Sequence, residues 1–170
     1  MERHPALRDL SRDHHLILLH ANRLQAAVAS NPREALDATR AFLKYWTDSL
    51  LMHFEEEQRF VVPLTPEGSL QGRYNMIEET LRNAVDQLRI TLMDVQFFKA
   101  SILQVIPLLR THINFCEATL FDDVEDNIDE EQFATLAPHM VAFRKQNRPG
   151  SIGVTRTEPN HLVNAPPPPA

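Results

Sequence analysis

The apolar residues of this chain recur at alternating intervals of three and four positions over most of its length, which is the spacing of helices that bury one face. Prolines and short polar stretches interrupt the pattern, and the 170 residues include only four glycines. So regular a pattern with so few breakers predicts long amphipathic helices. Four are predicted, with approximate bounds Leu7–Ala29, Arg33–Val62, Leu70–Val95 and Gln96–Val124.

Four such helices joined by short loops predict an all-α fold, an up-down-up-down four-helix bundle. The bundle is expected to occupy residues 1–128. A short fifth helix is predicted around Glu131–Lys145, within residues 129–147. The chain then becomes rich in proline and poor in apolar periodicity, which predicts a flexible tail over residues 148–170.

Charge and hydropathy limit the kinds of molecule that this protein is expected to bind. The formal net charge is −6, whereas a nucleic-acid-binding surface needs basic residues, so no nucleic-acid partner is expected. No apolar run approaches the ~18 residues of a membrane span. The first residues also lack the apolar stretch of a signal peptide, and the single cysteine allows no internal disulfide. We therefore expect a cytoplasmic protein that does not associate with membranes.

Polar and reactive residues interrupt the apolar stripes at one level of the predicted bundle. In alternating helices, the early turns of the first and third lie beside the late turns of the second and fourth. Burying many polar side chains without partners is unfavourable, and a bound metal ion is the simplest compensation. The residues at this level are His14, His53, Glu57, Tyr74, Glu78, His112 and Cys116.

Several of these residues also have a simpler interpretation. His53 and Glu57 are four positions apart, the spacing of a charge pair on a helix surface. Glu78 lies early in a helix, where an acid stabilises the N-terminus. Tyr74 is expected to be a core tyrosine bonded to a neighbouring carboxylate, and Cys116 a small buried residue. Metal ligation is the alternative for each.

Three segments, "LSRDHH", "HFEEEQRFVVP" and "HINFCEATLF", occur in this order and resemble hemerythrin-like (HHE cation-binding) proteins. The similarity covers about residues 7–125. It implies a four-helix bundle with a non-haem di-iron centre, ligated by histidines and bridged by two carboxylates. Members of that family bind dioxygen, sense oxygen or iron, handle nitric oxide or peroxide, or help to repair iron centres.

The matching positions supply part of that family's ligand set. His14 resembles the histidine of the first helix, although the adjacent His15 fills the role if the register shifts. His53 and Glu57 match the pair in the second helix, with Glu57 as a bridging carboxylate. His112 matches the histidine of the fourth helix.

Two helices depart from the family pattern. Where the third helix of the family carries histidines, this chain has Tyr74 and Glu78. In the fourth helix the acid that commonly follows the histidine by four positions is replaced by Cys116. Glu117 follows one position later and is the alternative bridging ligand.

These departures predict an altered di-metal site or a site for one metal ion. Iron is the expected metal, with manganese or zinc as alternatives. The resemblance implies that a small diatomic ligand (O₂ or NO) or peroxide is sensed, bound or detoxified there, or that iron is sensed or buffered, with a metal-binding role favoured over an enzymatic one. A peroxidase-like or catalase-like enzyme and a metal-poor helical bundle acting as a protein-interaction module remain alternatives. A homo-oligomer and a protein partner are both left open.

Overall fold

The computed structural model describes residues 3–66, 68–94 and 97–147. These residues form helices joined by short turns, with no strand among them, which confirms the all-α prediction. Val95 and the predicted tail over residues 148–170 lie outside the described residues. The α-helices are α1 (Arg8–Ala29), α2 (Pro32–Tyr45), α3 (Leu51–Phe60), α4 (Ser69–Thr91), α5 (Phe98–Phe115), α6 (Phe121–Asn127) and α7 (Glu130–Asn147).

Two wide helical turns divide what the sequence predicts as single helices. A π-helical turn at Trp46–Leu50 joins α2 to α3, and another at Cys116–Leu120 joins α5 to α6. Turns of this kind are rare in proteins, and those that do occur are often found at functional sites. Both lie next to segments that carry predicted ligands.

The first wide turn changes which residues of α2 are buried. The sequence predicts Leu36 and Leu43 on the inner stripe, but both are only partly buried. The buried positions of α2 are Ala35, Thr39 and Phe42. A π turn holds one more residue than an α turn, so the stripe that continues through α3 is displaced by about one position in α2. The most buried positions of α2 therefore differ from the predicted ones, although Leu43 still packs against the buried core.

The start of α2 shows how local sequence sets a helix boundary. The side chain of Asn31 accepts a hydrogen bond from the backbone nitrogen of Glu34 at 3.0 Å, and Pro32 occupies the first helical position. The Asn31 side chain satisfies one unpaired backbone N–H of the helix N-terminus, and Pro32 has no N–H that would need a partner. Only two residues, Ser30 and Asn31, therefore separate α1 from α2.

The helices pack around two apolar clusters. α1 packs against α2 and α5, α5 against α4, and α3 against α7. The larger cluster includes Ile17, Leu50 and Leu109, and the smaller includes Leu10 and Leu120. Because α1, α4 and α5 each contribute buried residues to both clusters, the level between the clusters has apolar packing on both sides. The up-down-up-down order of four helices remains a prediction.

The predicted fifth helix is present as α7, slightly longer than expected. It lies over α3 and the short 3₁₀ turn Pro5–Leu7, and Phe133 and Met140 join the smaller apolar cluster. α7 therefore covers one end of the packed helices. None of the helices in the described ranges is long and apolar enough to cross a membrane.

Candidate metal centre

Three helices and one wide turn bring ligand-type side chains to the level between the two apolar clusters. α1 contributes His14, α3 contributes His53 and Glu57, and α5 contributes His112. Cys116 begins the second wide turn. All five side chains are buried, with His14 and His53 at most 2 % exposed.

The carboxylate of Glu57 is the centre of this group. Its Oε1 lies 3.2 Å from Nε2 of His14 and 3.3 Å from Nε2 of His53. Its Oε2 lies 3.3 Å from Nε2 of His112 and accepts a hydrogen bond of 2.9 Å from the Tyr74 hydroxyl. Three imidazoles from three helices therefore point the same ring nitrogen at one buried carboxylate.

These separations match the distances between ligands of one metal ion. Ligands at about 2.1 Å from an ion are about 3.4 Å apart in a tetrahedral arrangement and about 3.0 Å apart in an octahedral one. Within the described part of the chain, Nε2 of His14, Nε2 of His53 and Oε1 of Glu57 make no hydrogen bond. These atoms face one another at 3.2–3.3 Å without hydrogen-bond geometry, and a bound cation would give each of them a partner.

The outer ring nitrogens of two histidines face carboxylates. Nδ1 of His14 lies 2.6 Å from Oε1 of Glu117, and Nδ1 of His53 lies 3.5 Å from Oδ2 of Asp13. A carboxylate behind the outer nitrogen is usual for metal-ligating histidines and helps to orient the ring. For His14 this contact is a hydrogen bond, whereas for His53 it is a longer ion-pair contact. The arrangement therefore orients His14 and His53 toward Glu57.

Two arginines hold these outer carboxylates. Arg144 donates to Asp13 at 2.7 Å and to Glu56 at 2.8 Å. Arg3 forms an ion pair of 3.1 Å with Glu117 and donates to the backbone oxygen of the same residue at 2.7 Å. Arg3, which precedes α1, and Arg144, which lies in α7, therefore hold the carboxylates behind the two histidines.

The protonation equilibria follow from burial and from neighbouring charges. Burial alone would lower the pKa of His53, but the charge of Glu57 and the interactions with Asp13 raise it to about 9. Burial lowers the pKa of His112 to about 3, which keeps that imidazole neutral. Burial would raise the pKa of Glu57, but the charge of His53 holds it well below its ordinary value. The centre thus holds an ionised Glu57 and a neutral His112, both in forms that bind metals. His53 is protonated near neutral pH in the metal-free protein, so it would release its proton when it binds a metal.

Some of the predicted ligands lie together in the structure, and the others lie apart from them. Ligand atoms of His14, Glu57, His112 and Cys116 lie within 4.8 Å of one another, and His53 contacts Glu57. His15 is exposed and its ring bonds to the backbone oxygen of Ser11, outside this group. The structure brings five of the predicted ligands together.

The remaining predicted ligands have other partners. Glu78 accepts a hydrogen bond of 2.7 Å from Arg82, one turn later in α4. Glu117 contacts the outer nitrogen of His14 and not the inner one. Tyr74 donates to Glu57, which is the core tyrosine contact expected from the sequence.

Sequence reasoning did not find the supporting residues Arg3, Asp13, Glu56 and Arg144. Asp13 and Glu56 each directly precede a predicted ligand, which was a usable signal. Their arginine partner lies 131 positions from Asp13 and 88 positions from Glu56, so only the fold reveals the contact.

The thiol of Cys116 is expected to be unreactive in the folded, metal-free protein. Burial and the negative charge of Glu57 raise its pKa well above the ordinary value, so the nucleophilic thiolate is scarce near neutral pH. We expect reaction with a thiol-specific aromatic disulfide reagent to be at least about 100-fold slower for the native protein than for the denatured chain. Equal rates would contradict the buried position.

No protein-family model, curated protein or solved structure matches this chain. The likeness to hemerythrin-like proteins therefore remains a prediction from the three sequence segments.

Proposed function

We propose that the protein binds a transition-metal ion between His14, His53, Glu57 and His112. The observation that carries this proposal is the convergence of three buried Nε2 atoms on one carboxylate at 3.2–3.3 Å. Two of those nitrogens and the facing oxygen make no hydrogen bond among the described residues. A cation at this point would satisfy all of them at once.

Iron is the proposed metal because the resemblance to hemerythrin-like proteins favours it, and manganese or zinc are the alternatives. Imidazoles with a carboxylate suit iron and zinc, whereas calcium and magnesium prefer oxygen ligands alone. Cys116 adds a thiol within ligand distance of the group. A thiolate ligand would favour softer metals such as zinc.

The contacts support one ion rather than two. A second position would need Glu78, which is engaged by Arg82, and Glu117, which is engaged by His14 and Arg3. Binding two ions would therefore require at least two ion pairs to break. Within the altered di-metal or single-metal alternatives, we propose a single-metal centre.

We further propose that the helices form the up-down-up-down bundle of hemerythrin-like proteins and that the centre meets O₂, NO or peroxide in the cytoplasm. The support is the order and spacing of the three motifs and the apolar surroundings of the centre. The Phe54 ring lies 4.9 Å from the His112 ring and the Phe121 ring 5.5 Å from the His14 ring. Such walls limit the access of water to the centre. Sensing or binding, rather than turnover, is the favoured role.

The deciding experiment is the metal content per chain of freshly purified, untagged protein, by inductively coupled plasma mass spectrometry. We expect close to one iron per chain. Replacing His53 by alanine should remove most of the metal, because a ligand and its support from Asp13 are lost together. His15→Ala is the matched control, since His15 is exposed on α1, and it should retain the wild-type content.

The possible outcomes separate the proposals. Two irons per chain would show that Glu78 and Glu117 rearrange to complete a di-metal site. Unchanged metal in His53→Ala would place the binding elsewhere. A change of the visible spectrum when NO or peroxide is added to the iron-loaded protein would support the ligand-sensing role, and no change would contradict it.

One observation favours the protein-interaction module as the second candidate. Ile90, Met93 and Phe97, at the turn between α4 and α5, are 71 %, 92 % and 61 % exposed. Exposed apolar patches on monomers often mark interaction sites. This candidate would replace the first if the chain stays metal-free after iron, manganese and zinc are each offered under anaerobic conditions.

A further inference from the structure

α7 is anchored by few apolar side chains for its length. Among Glu130–Asn147, the buried residues are Phe133, Met140 and Phe143. Phe143 packs against Phe60 at 5.6 Å between ring centroids. Three buried side chains stabilise an 18-residue helix only modestly, so polar contacts have a larger share in holding it.

The main polar contact of α7 in the interior is Arg144. Its guanidinium reaches Glu56 at 2.8 Å and Asp13 at 2.7 Å, and so joins α7 to α3 and α1. The Glu56 side chain is fully buried, and that of Arg144 is 18 % exposed. A buried carboxylate that loses a paired cation is strongly destabilised, so undocking of α7 is unfavourable for α3 as well.

Asp13 links this contact to the metal centre. The oxygen that accepts the hydrogen bond from Arg144 is the one that lies 3.5 Å from Nδ1 of His53. Nε2 of the same ring faces Glu57 at 3.3 Å. One carboxylate oxygen therefore contacts both Arg144 of α7 and the outer nitrogen of a proposed ligand.

We propose that Arg144 is a positioning residue for His53, acting through Asp13, and that docking of α7 and binding of metal stabilise each other. The inference rests on the proposed metal binding. When α7 is docked, Asp13 is held against His53 and the ligand is oriented. When the metal is bound, it fixes the His53 ring. The fixed ring in turn holds Asp13 in the position where Arg144 contacts it. Binding linkage is reciprocal. Docking of α7 therefore raises the metal affinity by the same factor by which bound metal raises the equilibrium constant for docking of α7.

The test is the metal affinity of Arg144→Gln, measured by competition with a chromophoric chelator. Loss of a residue that supports a metal-binding histidine typically weakens affinity about 10–100-fold, and we expect a loss in that range. Arg144→Lys keeps the charge but not the two-carboxylate geometry, so it should lie between the wild type and Arg144→Gln.

Arg59→Gln is the matched control. Arg59 also contacts α7, with its guanidinium 5.9 Å from the centre of the Phe143 ring, but the described contacts do not connect it with His53. We expect its metal affinity to stay within about threefold of wild type. A similar loss in both variants would show a merely structural role for the α3–α7 contact and would overturn the inference.

Amide hydrogen exchange provides the second readout. Metal should slow exchange in α7 relative to α2 in the wild-type protein, and this difference should disappear in Arg144→Gln. If Arg144→Gln does not fold, Arg144→Lys and Asp13→Asn carry the same comparison. Wild-type affinity in a folded Arg144→Gln, or in both replacement variants if Arg144→Gln does not fold, overturns the inference and leaves the proposed function intact. A wild-type protein that binds no metal overturns the proposed function and the inference with it.

Discussion

Glu57→Gln is expected to cause the largest loss of metal, from near one ion per chain to less than about a tenth. Glu57 is the residue on which the three inner ring nitrogens converge, and it supplies the only carboxylate within the group of facing ligand atoms found among the described residues. An amide has no negative charge and is a weak ligand for transition metals. Metal content and chelator competition would measure the loss.

Glu55→Gln is the control for this substitution. Glu55 lies on the exposed face of the same helix, two residues before Glu57. The same chemical change there should leave the metal content unchanged. If Glu57→Gln kept a full complement of metal, the buried carboxylate would not be a ligand and the proposed centre would be wrong.

Phe54→Ala is expected to have the largest effect on stability, lowering the free energy of unfolding by about 3–5 kcal/mol. Phe54 is fully buried, and its ring packs at 5.6 Å against Trp46 and at 4.9 Å against His112. Its loss leaves a cavity beside both the larger apolar cluster and the centre. Chemical denaturation of the metal-free protein, followed by circular dichroism, would measure the change.

The comparison variant is Phe97→Ala, because Phe97 is 61 % exposed. Its free energy of unfolding should change by less than about 0.5 kcal/mol. A loss below about 1 kcal/mol in Phe54→Ala would contradict the packing between Trp46 and His112. Measuring the metal affinity of both variants would also show whether the ring of His112 depends on Phe54 for its orientation.

The helices could be predicted from the sequence because their signals are local. The apolar spacing of α1 and α5 depends on residues within a few turns of one another. The wide turn at Trp46–Leu50 has no comparable signal, and it moved the buried positions of α2 from Leu36 and Leu43 to neighbouring residues. One residue of displacement rotates a helical position by about 100°, so a small local change reassigns a whole stripe.

The candidate site was predictable to the extent that its residues interrupt apolar stripes. His14, His53, Glu57 and His112 were found in this way, and the structure brings them together. Glu78 satisfied the same criterion and instead pairs with Arg82. Residue type and spacing show that a side chain can reach the interior, but not which of two nearby charges it will meet there.

The sequence by itself determined the helical class and the ligand-type residues on the inner faces, since both follow from periodicity and residue chemistry. Only the tertiary structure decided which ring nitrogen faces Glu57, that Glu117 and Asp13 stand behind the histidines, and that Arg144 joins them from α7. These relations depend on the rotation and the mutual packing of helices far apart in the chain. Such packing is set by the whole core, and no local stretch of sequence specifies it.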